Sequence, residues 1–88
     1  MPYGLEFEES CEEEIVKATR KNRKLREIIE KKVFQILEMP EHYKPLNYPM
    51  NNKRRVHVAK SFVLLFVIDE LRKVVILKKF SHYDYAYL

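Results

Sequence analysis

Residues 61–68 read "SFVLLFVI". A strand with one wet face alternates apolar and polar residues. An unbroken apolar run of this length therefore describes a strand covered on both faces. It is too short to cross a membrane, which takes roughly 18 apolar residues or more. In a chain of 88 residues such a strand has to lie in the middle of the one core that the length allows, so residues 1–88 are expected to form a single domain. Hydrophobic residues make up 47% of the chain, enough to build that core, and the one cysteine, Cys11, leaves no disulfide to replace it. A lone cysteine, with neither a basic nor an apolar leader at the N-terminus, predicts a soluble protein of the reducing cytoplasm. No CxxC or nearby histidine activates Cys11, which reads as a small buried hydrophobe.

The remaining elements arrange themselves around that strand. "YGLEFEE" alternates, with Tyr3, Leu5 and Phe7 on one face of a first strand. Ser10, with Glu13 three residues on, suggests a capping box opening a helix that runs to about Thr19. Asn22 suits the cap of a second helix, whose Leu25, Ile28, Ile29, Val33, Ile36 and Leu37 recur at helical spacing. Pro40 ends it, because the residue before a proline is disfavoured in a helix. Residues 41–52, with Pro45 and Pro49, read as loop with a short extended piece at "PLNY". Then come a strand at 55–58, the apolar strand, a turn at 69–72 and a strand at 74–80. The order β-α-α-β-β-β predicts an α+β domain, a helical hairpin packed on one face of a small, largely antiparallel sheet.

Charge and residue types narrow the function. Gly4 is the single glycine, which excludes glycine-rich phosphate loops. The formal charge is +4, and residues 44–60 hold cations and no carboxylate, a candidate anionic-ligand surface if not merely a solvated basic loop. In "RRVHV" Arg55 and His57 point away from Val56 and Val58. Short hairpins are expected to bring Lys78 and His82 alongside them. A basic face with two imidazoles and nearby tyrosines suits metal-free RNA cleavage: a base takes the 2′-OH proton, an acid protonates the leaving 5′-oxygen, and cations steady the phosphorane. Plainer roles exist for each residue. His57 fits a half-buried strand position, His82 an exposed end, Tyr83, Tyr85 and Tyr87 tail packing, and His42 a loop surface. The three histidines and Cys11 show no metal-ligand spacing, so neither metal nor cofactor is expected.

Three stretches, "KKVFQILEMPEHYKPL", "RRVHVAKSFVLLF" and "HYDYAY", occur in an order and at a spacing that resemble the RelE/ParE superfamily of toxins, closest to the RelE-like and YafQ-like mRNA interferases of archaeal type. The resemblance spans nearly the whole chain. It implies the toxin of a type II toxin–antitoxin system, a ribosome-dependent endoribonuclease that cuts mRNA in the A site. It implies catalytic roles for His57, His82, Tyr87, Lys44 and Lys78, with Lys44 where YafQ-like toxins have a histidine and Lys78 where an arginine is usual. It places Arg54 or Arg55 where the family has its phosphate-contacting arginine, Phe62 at the aromatic of the hairpin and Asp84 at an acidic residue of the tail; with Lys53 and Lys60 of the basic stretch, these are the expected substrate contacts. The partners implied are a cognate antitoxin, the ribosome and mRNA, with no membrane and an oligomeric state set by the antitoxin complex. Ser61 departs from the family, standing where YafQ-like toxins carry an aspartate, and Tyr83 replaces a second basic residue of the tail. Two other functions fit the same fold: a ParE-like inhibitor of DNA gyrase, which needs no acid/base residue, and a non-catalytic RNA-binding domain.

Overall fold

The computed structural model describes residues 3–83. The chain runs β1 (Gly4–Phe7), α1 (Glu9–Thr19), α2 (Arg23–Glu38), a single 3-10 turn (Pro40–His42), β2 (Arg54–Val58), β3 (Phe62–Asp69) and β4 (Val74–His82). The predicted element order holds. The sheet order is β1-β4-β3-β2, with β1 parallel to β4 and the other neighbours antiparallel.

Helix α2 starts as expected: the Asn22 side chain accepts the Leu25 N–H at 3.0 Å. Helix α1 does not. Its N-cap is Glu8, with no side-chain cap bond, and Ser10 lies inside the helix. The sheet decides this. The Glu8 N–H donates to Leu77 O at 2.8 Å, while the Glu8 carbonyl already accepts the Glu12 N–H at 3.0 Å. One residue closes the strand pairing and opens the helix, which leaves no spacer for a cap at Ser10.

The core lies between the helices and one side of the sheet. Cys11, Leu25, Ile29 and Ile36 meet Val56, Val58, Leu64, Phe66, Val75, Leu77 and Phe80 there. Each fully buried aliphatic or aromatic side chain contributes about 1.5–3 kcal/mol. The other side of β3 forms a second, smaller cluster. Val63 and Leu65 are buried under Leu46 and Met50, from the loop between the 3-10 turn and β2. That cover accounts for the unbroken apolar run: helices shield alternate residues and a loop shields the rest. The loop is held to the sheet by a bridge between Pro45 and Arg54 and by the Leu46 N–H donating to Lys53 O at 2.9 Å.

The pairing of β3 with β4 shifts register between Leu65 and Phe66. Leu65 faces Lys79, but Phe66 faces Leu77. Lys78 is the extra residue of a bulge. Leu77 and Phe80 consequently both point at the helices, although they are three residues apart.

Candidate functional site

The sheet face away from the helices carries the candidate chemistry. Residues directly opposite one another in a ladder share a face. Arg55 pairs with Leu65, which pairs with Lys79. In the next row His57 pairs with Val63, which pairs with Ser81. Arg55 and Lys79 are two strand spacings apart, about 10 Å, with His57 two residues further along, about 7 Å. Leu46 and Met50 cover Leu65 and Val63 between them, so Arg55 and His57, both exposed, and Lys79, half-buried, stand around that cover. Tyr83 continues this face beyond Ser81: its ring lies 5.8 Å from that of His57, with planes 22° apart.

Of the two adjacent arginines, Arg55 is exposed on this face. Arg54 is turned the other way and clamps the loop, its Nη1 donating to Tyr43 O at 2.6 Å. Lys60 is exposed in the β2–β3 turn, close to the His57 end of the hairpin. Lys53 is half-buried just before β2. Lys44 is exposed and precedes Pro45, which bridges Arg54. Arg54 lies three residues, or about 10 Å, along the strand from His57, so Lys44 sits beyond the opposite end of β2.

Lys78 and His82 were expected beside Arg55 and His57, and the structure places both elsewhere. The bulge turns Lys78 toward the first helix, where its ammonium lies 3.2 Å from Glu8 Oε1. His82 pairs with Phe62, one register position off the His57 row, on the helix side of the sheet. The His82 and Phe62 rings meet nearly edge-on at 6.0 Å, and Phe62 stacks on Phe80 at 5.0 Å. Phe62 thus belongs to the helix-side packing. Lys79 and Tyr83 occupy the places foreseen for Lys78 and His82. A signal for Lys79 was present in the sequence: the apolar residues Val75, Leu77 and Phe80 break period two at the lysine pair. Asp84 and Tyr87 lie outside the described residues.

The perturbed titrations fall away from this face and belong to the frame. Arg72 grips Glu6 through both terminal nitrogens, at 2.7 and 3.2 Å, and Asp69 through Nε at 2.8 Å. Its guanidinium holds both carboxyls below their ordinary range. The Tyr3 hydroxyl donates to Glu41 at 2.7 Å and lies 3.0 Å from Glu70. That bond lowers Glu41 and raises the phenol. These contacts tie β1 and the residue before it to the β3–β4 turn and to the 3-10 turn. Burial pushes the Cys11 thiol up to about 12, which keeps it protonated and unreactive. Among the described residues, no group of three or more His, Cys, Asp or Glu is placed to hold a metal ion, and no helix is long and apolar enough to cross a membrane.

A second surface feature lies at the other edge of the sheet. A groove of about 570 Å³ runs between β1 and the helical hairpin, floored by Leu5, Phe7, Ile15, Val16, Ile29 and Val33. Arg20 and Arg26 stand at its rim with Glu30, which pairs with Arg26 at 3.5 Å. Phe7 and Val16 are 42% and 52% exposed, so a sizeable apolar strip faces outward beside an edge strand.

No family model matches the chain. A protein of Methanocaldococcus jannaschii named as a candidate toxin, RelE4, is 40% identical over 97% of this chain and 90% of its own length. Among solved structures, the toxin–antitoxin complex RelBE2 of Mycobacterium tuberculosis contains a chain that superposes with a TM-score of 0.77 at 20% identity, over 93% of this chain and 99% of that one. A chain of the DinJ–YafQ toxin–antitoxin complex of E. coli superposes with a TM-score of 0.75 at 13% identity, over 100% of both. At those identities the two superpositions show a shared fold.

Proposed function

The chain belongs to the RelE-like family of toxins, and from that premise we propose that it is a ribosome-dependent endoribonuclease acting on mRNA, held in check by an antitoxin. The observation that carries the nuclease reading is the row arrangement of His57, Arg55 and Lys79 on the sheet face away from the helices, around the loop that covers Val63 and Leu65. In the proposed step the substrate 2′-OH loses its proton to a base as its oxygen bonds to the adjacent phosphorus. The bond from phosphorus to the 5′-oxygen breaks, and that oxygen takes a proton from an acid. The products are a 2′,3′-cyclic phosphate and a free 5′-hydroxyl. His57 carries the proton at one end of this transfer. Arg55 and Lys79 meet the charge that develops on the non-bridging oxygens, where fixed cations count most. His82, on the far side of the sheet, acts through packing on Phe62 rather than on the phosphate.

The groove between β1 and the helical hairpin supports an antitoxin partner. Its apolar floor and its rim of Arg20 and Arg26 suit an amphipathic acidic segment, which would bury the exposed strip while matching charge. Such a segment spends ordering entropy on binding and recovers it from buried apolar area.

The test is cleavage of ribosome-bound mRNA mapped by primer extension. His57→Ala should lower the rate by about 100-fold or more, in line with general acid–base contributions, with an unchanged circular dichroism spectrum. His82→Ala should cost far less. A fully active His57→Ala protein would overturn the role given to His57; a wild-type protein that leaves ribosome-bound mRNA intact would overturn the nuclease reading and leave a gyrase inhibitor or a plain RNA-binding domain.

A further inference from the structure

We propose that Tyr83 is a positioning residue for His57. The inference rests on His57 being the proton-transfer group. His57 stands exposed near the end of β2, where a lone imidazole on a strand turns freely about both side-chain torsions. Proton transfer needs the reacting nitrogen within hydrogen-bond reach of a substrate oxygen, so each idle rotamer lowers the rate. Tyr83 supplies the restraint. Its ring is nearly parallel to the imidazole, 5.8 Å away with planes 22° apart.

The Tyr83 backbone is itself fixed. The Tyr83 N–H donates to Ser61 O at 2.7 Å, one rung beyond the strand pair of Phe62 with His82. This bond ties the end of β4 to the β2–β3 turn, so the tyrosine backbone and the histidine strand are parts of one hairpin frame. Tyr83 lies two residues past Ser81, which is level with His57 in the sheet. Alternation along the strand therefore puts both rings on one side. At 50% exposure the tyrosine contributes little to the core, so its large aromatic ring needs an explanation other than folding. Ring pairs of this kind are favourable beyond simple area burial. Here the consequence is an imidazole confined to one plane and backed on one side, leaving its other side and its edge to the substrate.

The experiment compares Tyr83→Phe and Tyr83→Leu in two measurements. The first is the proton spectrum of the His57 imidazole in the isolated protein, where a stacked ring imposes a ring-current shift. The second is single-turnover and steady-state cleavage of ribosome-bound mRNA. Tyr83→Phe keeps the ring and should keep both the shift and the rate. Tyr83→Leu should move the His57 signals and lower kcat about 10-fold with KM little changed, the size expected when one aromatic contact is lost from the reacting geometry. Wild-type kcat in Tyr83→Leu overturns the proposal, whatever the spectrum shows. Equal losses in both variants also overturn it, because they would assign the work to the hydroxyl. A wild-type protein inert on ribosomes removes the nuclease reading and this inference with it; the variant outcomes remove only the role of Tyr83.

Discussion

Arg54 and Arg55 are neighbours in sequence and opposites in structure, so replacing each with methionine separates scaffold from site. The Arg54 side chain is half-buried and donates to Tyr43 O at 2.6 Å. Methionine keeps much of the apolar stem and removes the donor. A hydrogen bond from a charged group contributes about 1.5–3 kcal/mol, and partial exposure of this one places it near 1.5 kcal/mol. For a domain of this size each kcal/mol moves Tm by about 4–8 °C, so Arg54→Met should melt roughly 10 °C below wild type. The carbonyl it leaves belongs to the loop whose Leu46 and Met50 cover Val63 and Leu65, and amide exchange should rise in residues 43–53. Arg55→Met, on the exposed face, should change stability by about 0.5 kcal/mol at most. It should instead weaken RNA binding and lower the slope of log affinity against log salt by about one. Thermal melts followed by circular dichroism, with salt-titrated RNA binding, read both effects. A stable Arg54→Met beside an unstable Arg55→Met would refute the assignment of faces in β2.

The lysine pair offers a parallel contrast: Lys79→Gln should lower mRNA cleavage by roughly 10-fold or more through lost charge stabilisation, whereas Lys78→Gln should cleave like wild type and lose only a half-exposed ion pair with Glu8. Arg72 should shape the acid limb of stability. Glu6 and Asp69 are held below their ordinary values of 4.5 and 3.8, so the unfolded chain binds more protons, and their contribution is present above that range and lost as pH falls through the lowered values. Arg72→Met should therefore melt lower than wild type at pH 7 and converge with it in a pH series of melts as pH falls through the lowered carboxyl values. Cys11, 1% exposed and raised to about 12, should resist maleimide in the native protein at pH 8 and react at once in denaturant; fast native labelling would contradict its place in the core.

The order of elements was legible in the sequence because it depends on local periodicity. The helical stripe from Leu25 to Leu37, the Asn22 cap and the stop at Pro40 each involve residues a turn or less apart, and each appears where expected. The same holds for the alternation of Val56 and Val58 against Arg55 and His57. The failures all came from pairing between distant segments. Ser10 and Glu13 have the chemistry of a capping box, but the bond from Glu8 to Leu77 starts the helix earlier, and no window around Ser10 contains Leu77.

The site shows the same division more sharply. Sequence alone marked the basic hairpin, His57 and the last strand with the residues that close the chain as the place to look. Which side chains from that stretch meet His57 was decided by one inserted residue in β4. A side chain in a strand points to one face or the other according to the parity of its position, so a single bulge reverses every later assignment. That reversal exchanges Lys78 for Lys79 on the face away from the helices, sends His82 to Phe62 and leaves Tyr83 beside His57. Composition and spacing determine which residues are available for chemistry; only the long-range register of β3 against β4 determines which of them share a face.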